Sequence, residues 1–445
     1  MYFKSICNYL LLKRFFFVFF SVILFASCGD DKEPISKPHD PGKPVVLESF
    51  APLEGGVREK VILKGQNFGS KAEEIKVYFN KARAAVISSS GDYIYALVPR
   101  LPGLDCAVSV VVGNDSLVYD DTFTYHRTAS VSTITGNGAQ AFKAGTLAEG
   151  QVYARYLAVD AEDNIFAAVR DAGTYALVRI NEAENIVDPL ILNTNTSVLN
   201  PNSPAIDITT GIVTVPHDNV KQVFYTFDPK EVWAPRQHSM QFTPQDLGLI
   251  TANYKYVMAF CPYDGHVYSR YGDGSITKTN PETFESTIVY KTNSGASYGL
   301  AFNPLKPYLL YITFHSNVSG LGHSICTLDV RDPENPNSFQ RISSILGAGH
   351  RDGPMESAQF NLPRQLFFDP DGNLFIADFG NHCIRMVSPD NVVETIIGIP
   401  GVSGMKDGPS SEALFNNPWG LAVGIDGTVY ISDYGNARIR KLTIE

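Results

Sequence analysis

The sequence is short of sulfur, tryptophan and basic charge. Six cysteines and two tryptophans stand among 445 residues. Four of the cysteines, Cys106, Cys261, Cys326 and Cys383, are far apart with no Cys-x-x-Cys pair, which argues against a thiolate metal centre and a disulfide framework and leaves them as buried apolar residues. Lys and Arg number 36 against 46 Asp and Glu, a formal net charge of −10, so nucleic acid and anionic membrane surfaces are poor partners. No Gly-x-Ser-x-Gly, Walker or dinucleotide motif is present. The nine His share no common repeat position, and Asp369-Pro370-Asp371-Gly372-Asn373 lacks the downstream Glu of a calcium loop, so no metal or cofactor is expected. The longest apolar run, Phe15 to Ala26, is too short for a comfortable membrane span.

What the chain does have is a sentence written twice. Asp352-Gly353-Pro354 recurs as Asp407-Gly408-Pro409, Phe360-Asn361 as Phe415-Asn416, Asp378 as Asp433, Gly380-Asn381 as Gly435-Asn436 and Ile384-Arg385 as Ile439-Arg440, each offset by 55 residues. A strict period of this size marks a repeat architecture, in which each unit buries its apolar face against its neighbours. Within one copy, Leu421-Ala422-Val423, Val429-Tyr430-Ile431 and Ile439-Arg440-Lys441-Leu442 read as strands separated by Asp426-Gly427 and Gly435-Asn436 turns. With Val392 to Ile397 as a fourth strand in the preceding copy, the unit is a propeller blade. These residues resemble the NHL repeat of β-propellers. Six openings of the Leu-Ala-Val kind, at Leu157, Ala205, Met258, Leu300, Leu366 and Leu421, predict six blades over residues 131–445. Val131-Ser132-Thr133-Ile134-Thr135-Gly136 resembles the outer strand Val393 to Gly398, so strand 131–136 is expected to complete the last blade and close the ring. Two stretches break the period, Lys230 to Thr251 and His315 to Phe339, and are expected as long loops.

Ahead of the propeller, residues 45–126 alternate as short strands with turns at Gly55-Gly56, Asn67-Phe68-Gly69 and Gly113-Asn114-Asp115, the pattern of a β-sandwich. The run Val61-Ile62-Leu63-Lys64-Gly65-Gln66-Asn67-Phe68-Gly69 with Phe123-Thr124-Tyr125 resembles an IPT/TIG immunoglobulin-like domain, for which a spacer role is expected. The fold class is therefore all-β. At the N-terminus, residues 1–27 read as a signal peptide, and Leu24-Phe25-Ala26-Ser27-Cys28 resembles a bacterial lipobox with Cys28 as the lipidated residue. Loss of Lys4, Lys13 and Arg14 with that leader takes the charge from −10 to −13. Residues 28–44, with the acidic Gly29-Asp30-Asp31-Lys32-Glu33 and four prolines, are expected as a flexible tether. The acidic tract resembles a surface-export signal and Asp115-Ser116-Leu117 an O-glycosylation sequon, both implying a lipid-anchored outer-membrane protein exposed at the cell surface.

In a blade, the segment entering the first strand and the turn between the second and third strands share one face of the disc. The position two before each opening carries Arg155, Asn202, Tyr256, Tyr298, Arg364 and Trp419, and the second-strand ends add Asp378, Phe379, Asp433 and Tyr434. Aromatic rings stack on the C–H faces of sugars while Arg and Asp bond hydroxyls or carboxylates. Arg155, Tyr256, Tyr298, Arg364, Trp419, Asp378, Asp433 and Tyr434 are thus the candidate ligand-binding residues, with no catalytic residue assigned. The same rings could instead plug the tunnel, and Asp378 and Asp433, as repeat residues, could pair structurally with Arg. The preferred function is a non-catalytic surface lipoprotein that binds glycan or polysaccharide as an accessory to carbohydrate uptake. Two alternatives stay open: a metal-dependent propeller hydrolase or lyase of the lactonase kind, and an interaction scaffold docking on an outer-membrane transporter complex.

Overall fold

A computed structural model describes residues 37–101, 103–170 and 173–445. The signal peptide and Cys28 lie outside the described residues. Among the described residues no helix is long and apolar enough to cross a membrane.

The first module is an immunoglobulin-like sandwich. Lys60–Gln66 and Asp105–Val112 alternate buried and outward-facing residues along their length, placing Val61, Leu63, Cys106, Val108 and Val110 inside, as a strand covered on one face requires. The strand Ala82–Ser89 turns the corner between the two layers: Ala82 to Ala84 pair with Val77–Phe79, and Ala85 to Ser89 pair with Tyr93–Leu97. Residues 37–44, read above as part of the tether, are held against this module. The Asn67 side chain, on a residue with φ of 63°, donates to the Asp40 and Lys43 carbonyls at 3.0 and 2.7 Å and accepts from Asp40 N at 2.9 Å. The sequence reading saw Asn67 as a turn residue and could not see that its amide ties down the chain entering the module.

The second module is a six-bladed propeller. The innermost strands are Ala154–Val159, Ala205–Ile206, Lys255–Phe260, Leu300–Asn303, Pro363–Phe368 and Gly420–Val423, each pairing antiparallel with the next strand outward. The last blade takes its fourth strand from the start of the module, Ala129–Thr135 pairing antiparallel with Arg438–Ile444. The two period-breaking stretches are largely structured rather than looped. Lys230 to Thr251 supplies the outer strand Pro235–Ser239 of the second blade, the strand Gln241–Phe242 beside the third, and the helix Pro244–Leu249, whose cap Thr243 accepts from Asp246 N at 3.1 Å. His315 to Phe339 contains Ser324–Asp329, the third strand of the fourth blade. In the second stretch the Gly, Pro and Asn content masked the strand.

The repeated sentence of the last two blades encodes a buried charge cage. Arg385, fully buried, donates to Asp378 at 2.8 Å and Asp352 at 2.6 Å, and Arg440 does the same with Asp433 at 2.9 Å and Asp407 at 2.8 Å. Asn381 and Asn436 each donate to the same buried carboxylates at 2.8 Å. In each cage Nε and Nη2 converge on one oxygen of the outer Asp while Nη1 reaches the buried one, all of them charge-assisted bonds.

The modules meet along one rim. Arg100 of the sandwich donates to the Asp426 carbonyl at 2.9 Å and to the Gly427 carbonyl, Lys81 pairs with Asp390, and Arg127 pairs with Glu394 at 2.7 Å. Asp426-Gly427 and Asp390 belong to turns on the face of the disc opposite the segments that enter the first strands. The sandwich therefore holds the propeller by the edge of one face and leaves the other clear.

Candidate functional site

On the face away from the sandwich, five blades send rings to the axis. Trp419 is the hub: its ring centroid lies 5.1 Å from Tyr434, 5.2 Å from Tyr298, 5.5 Å from Phe379 and 6.1 Å from Tyr156. The set continues through Tyr256, 5.3 Å from Tyr298, to Tyr254 at 5.2 Å from Tyr256. These edge and tilted contacts suit the quadrupoles of the rings. Trp419 itself is 7% exposed and Tyr156 1%, whereas Tyr256, Tyr298, Phe379 and Tyr434 are half-buried and Tyr254 is exposed. The result is a shallow aromatic basin with Trp419 as its floor. Trp419, counted as a stacking residue from sequence, is therefore a plug beneath the surface, because six converging strands crowd the axis at the depth where its ring sits.

Below that floor the tunnel is closed by Gln365. Its Oε1 accepts from Leu157 N at 3.0 Å and Leu421 N at 3.1 Å, while Nε2 donates to the Leu157 carbonyl at 2.7 Å and Ser203 Oγ at 3.0 Å. One side chain thus ties the first, second, fifth and sixth blades. Sequence inspection missed it, since a Gln beside Arg364 in an apolar strand gives no sign of what lies across the axis.

The two arginines stand among the rings. Arg155, half-buried, lies 4.8 Å from the Trp419 centroid and 5.9 Å from Tyr434. Arg364 lies 3.9 Å from Trp419, 4.2 Å from Tyr298 and 4.4 Å from Phe379, a cation–π cage. Burial draws the Arg364 pKa down, with Tyr298 and Tyr156 opposing and Arg155 adding to the effect. Its carbonyl accepts from Thr313 Oγ1 at 2.8 Å, which pins the strand to the fourth blade. His315, 5.7 Å from Tyr298, is pushed down to about 4 by burial and then by the Arg364 charge, so the ring is neutral at pH 7.

Asp378 and Asp433 are corrected. Both are 0% exposed and spend their oxygens on Arg385 or Arg440, on Asn381 or Asn436, and on the Asn361 or Asn416 backbone N–H at 2.8 Å. Burial raises both, Asp378 to about 6, although the arginines pull the other way. Neither carboxylate has a surface to offer a ligand. Asn202 is likewise internal, donating to Asp218 at 3.0 Å and to the Lys255 carbonyl at 2.6 Å.

Two further concavities escaped sequence reasoning. The opposite face of the disc opens into an apolar cavity of about 330 Å³ at the far ends of all six innermost strands, with Ile206, Phe260, Phe302, Phe368 and Ile425 in its wall. Between the second and third blades a pocket of about 210 Å³ is lined by Phe224, His238, Met240 and Phe284. Among the described residues no three His, Cys, Asp or Glu are placed to hold a metal ion, and the four described cysteines are buried and free.

Comparison with known proteins follows the same division. A model of the IPT/TIG domain matches residues 45–125, and a model of the NHL repeat matches residues 415–442. The NHL repeat-containing protein 2 of Gallus gallus is 39% identical over 85 residues, 19% of this chain and 11% of that protein, so the chain spans only a small part of that relative. Among solved structures, a structural genomics protein of unknown function from Bacteroides thetaiotaomicron aligns over 92% of this chain and 100% of its own, at 25% identity and a TM-score of 0.71. Two proteins named auxiliary nutrient binding proteins share the fold over 92% of this chain. One is from Bacteroides thetaiotaomicron, at 23% identity with 99% of its own chain covered, and one from Bacteroides ovatus, at 22% with 100% covered; both have a TM-score of 0.58.

Proposed function

We propose that this protein is a non-catalytic accessory that captures glycan at the cell surface on the aromatic basin of its propeller. The sandwich serves as the spacer and the N-terminal Cys28 as the lipid anchor. The observation that carries the reading is the basin itself: half-buried Tyr256, Tyr298, Phe379 and Tyr434 surround two arginines on the face turned away from the sandwich. Flat rings with fixed cations between them suit the alternating C–H and polar surfaces of a sugar. The nutrient-binding names of two proteins sharing the whole fold are in keeping with capture rather than turnover. The hydrolase or lyase alternative needs a metal, and among the described residues no three His, Cys, Asp or Glu are placed to hold one. In an uptake system the captured chain would pass to an outer-membrane transporter complex.

The test is a glycan array followed by titration of the best polysaccharide against wild type, Tyr298→Ala and Ile425→Ala. Loss of the Tyr298 ring is expected to weaken binding by about 1–3 kcal/mol. Ile425, 55% exposed on the opposite face, should be neutral. Equal affinity for wild type and Tyr298→Ala, or loss on Ile425→Ala instead, would remove the basin as the binding face.

A further inference from the structure

The propeller's buried arginines are answered, with one exception. Arg385 and Arg440 each hold two carboxylates, Arg179 pairs with Glu184, and Arg270 donates to the Gly295 and Asn293 carbonyls at 2.8 and 2.9 Å. Arg364 is 5% exposed, and its Nε and Nη1 are sealed from solvent without any hydrogen-bond acceptor. Among the described residues it makes no salt bridge, and its polar contact is a side-chain hydrogen bond with the neutral Tyr298 hydroxyl. What surrounds it is three ring faces, a second guanidinium at Arg155 close enough to be felt, and a neutral His315. Ring quadrupoles attract a cation but carry no net charge, so they do not replace a counter-anion. The phenols nearby give no negative charge either, since burial holds Tyr156 and Tyr256 above their ordinary range.

The cation is not there by default. The repeat supplied Asp378 within the same blade, yet that carboxylate is committed to Arg385. The Arg364 backbone is locked between blades by Thr313 and by the Gln365 bonds beside it, which fixes where its side chain starts. A charge that no described carboxylate answers, under a basin of half-buried rings, is prepared for a group that arrives with the ligand.

Building on the carbohydrate reading above, we infer that the preferred ligand is an acidic glycan, whose anionic substituent, a carboxylate or sulfate, is drawn to Arg364 while its sugar ring lies on Tyr298 and Phe379. The overall charge of −10 works against indiscriminate polyanion binding, so selectivity for an acidic chain has to come from a local site.

The experiment titrates the full chain with polygalacturonate and with the same polymer fully methyl-esterified, which keeps the ring faces and removes the charge. Dextran sulfate against dextran forms the sulfate arm. Wild type is compared with Arg364→Met and Arg364→Lys, and the melting temperature of each is recorded without ligand. The expected result is that an acidic polymer binds at least about tenfold more tightly than its neutral counterpart. That preference should vanish in Arg364→Met and partly return in Arg364→Lys. The arm showing it identifies the anion. Arg364→Met should also melt no lower than wild type, because it removes a buried charge that the protein itself does not pair. Equal binding of charged and neutral polymers, or a preference that survives Arg364→Met, overturns the acidic-glycan assignment and leaves the carbohydrate reading intact. A large drop in melting temperature for Arg364→Met shows that the protein answers the charge internally and also overturns it. If no polymer on the array or in these titrations binds, the carbohydrate reading falls and this assignment with it.

Discussion

At the scale of single residues, the molecule uses the same side chain in two opposite ways. Arg385 and Arg440 are buried among carboxylates and each tie one blade together internally, while Arg364 is buried among rings with no carboxylate partner among the described residues. Removing one member of a buried pair strands its partner, which costs far more than the pair contributes when intact. Asp433→Ala leaves Arg440 with Asp407, whose side chain is 38% exposed and so screens the charge less effectively than the buried oxygen it replaces. The substitution also frees the Asn416 N–H and removes one of the two bonds of the Asn436 amide, which keeps the Gly404 carbonyl. Its expected cost is about 3–5 kcal/mol in a denaturant titration, and part of that should return in the double variant with Arg440→Met. A loss below about 1 kcal/mol would place the pair among ordinary surface bridges.

At the scale of strands and blades, the closing strand decides whether six sheets make one body. Ala129–Thr135 pairs with Arg438–Ile444 and so joins the two ends of the propeller chain. Removing residues 438–445 leaves Val429–Asp433 and Ala129–Thr135 as unpaired edges in the same blade. Exposed flat edges recruit other chains, so the truncated protein is expected to elute as aggregate and to lose its single cooperative melt. A monomeric product with an unchanged melt would mean that the ring is held by blade-to-blade packing alone. The closure could be read from sequence because the first and last strands share a pattern, and the last two blades because each repeats the Asp, Asn and Arg of the charge cage at fixed spacing. Blade two was hard to see because its inner strand is only Ala205–Ile206, too short for a periodic signal. The basin was half legible. Position relative to each first strand located Arg155, Tyr256, Tyr298, Arg364 and Trp419 near one another, but depth along the axis depends on how all six strands converge. For that reason the sequence left open whether Trp419 stacks or plugs and whether Asp378 and Asp433 face a ligand or pair with Arg, and it gave no sign of the Gln365 tie.

At the scale of the whole molecule, the two modules give the propeller a direction. Arg100 reaches from the sandwich to the carbonyls of the Asp426-Gly427 turn, and Gly427 at φ of 79° has no side chain to block it. A methyl group on Gly427 would overlap the Arg100 guanidinium and would also strain a backbone that favours glycine. Around this contact the Arg127–Glu394 pair and the mutual backbone bonds of Thr128 and Glu445, at 2.6 and 2.9 Å, fix the joint. The aromatic basin faces the other way, so a protein held by its N-terminus presents the basin outward only while the joint is rigid. Arg100→Ala removes two hydrogen bonds at the rim without touching the axis. In solution, small-angle scattering of Arg100→Ala is expected to show a broader distribution of intramolecular distances than wild type, as a looser joint samples more orientations. Glycan affinity measured on the isolated molecule should stay the same, because the basin is built by the propeller alone. If the scattering curves superimpose, the backbone bonds of Thr128 and Glu445 set the orientation. If the affinity falls with the joint intact, the sandwich takes part in binding and is more than a spacer.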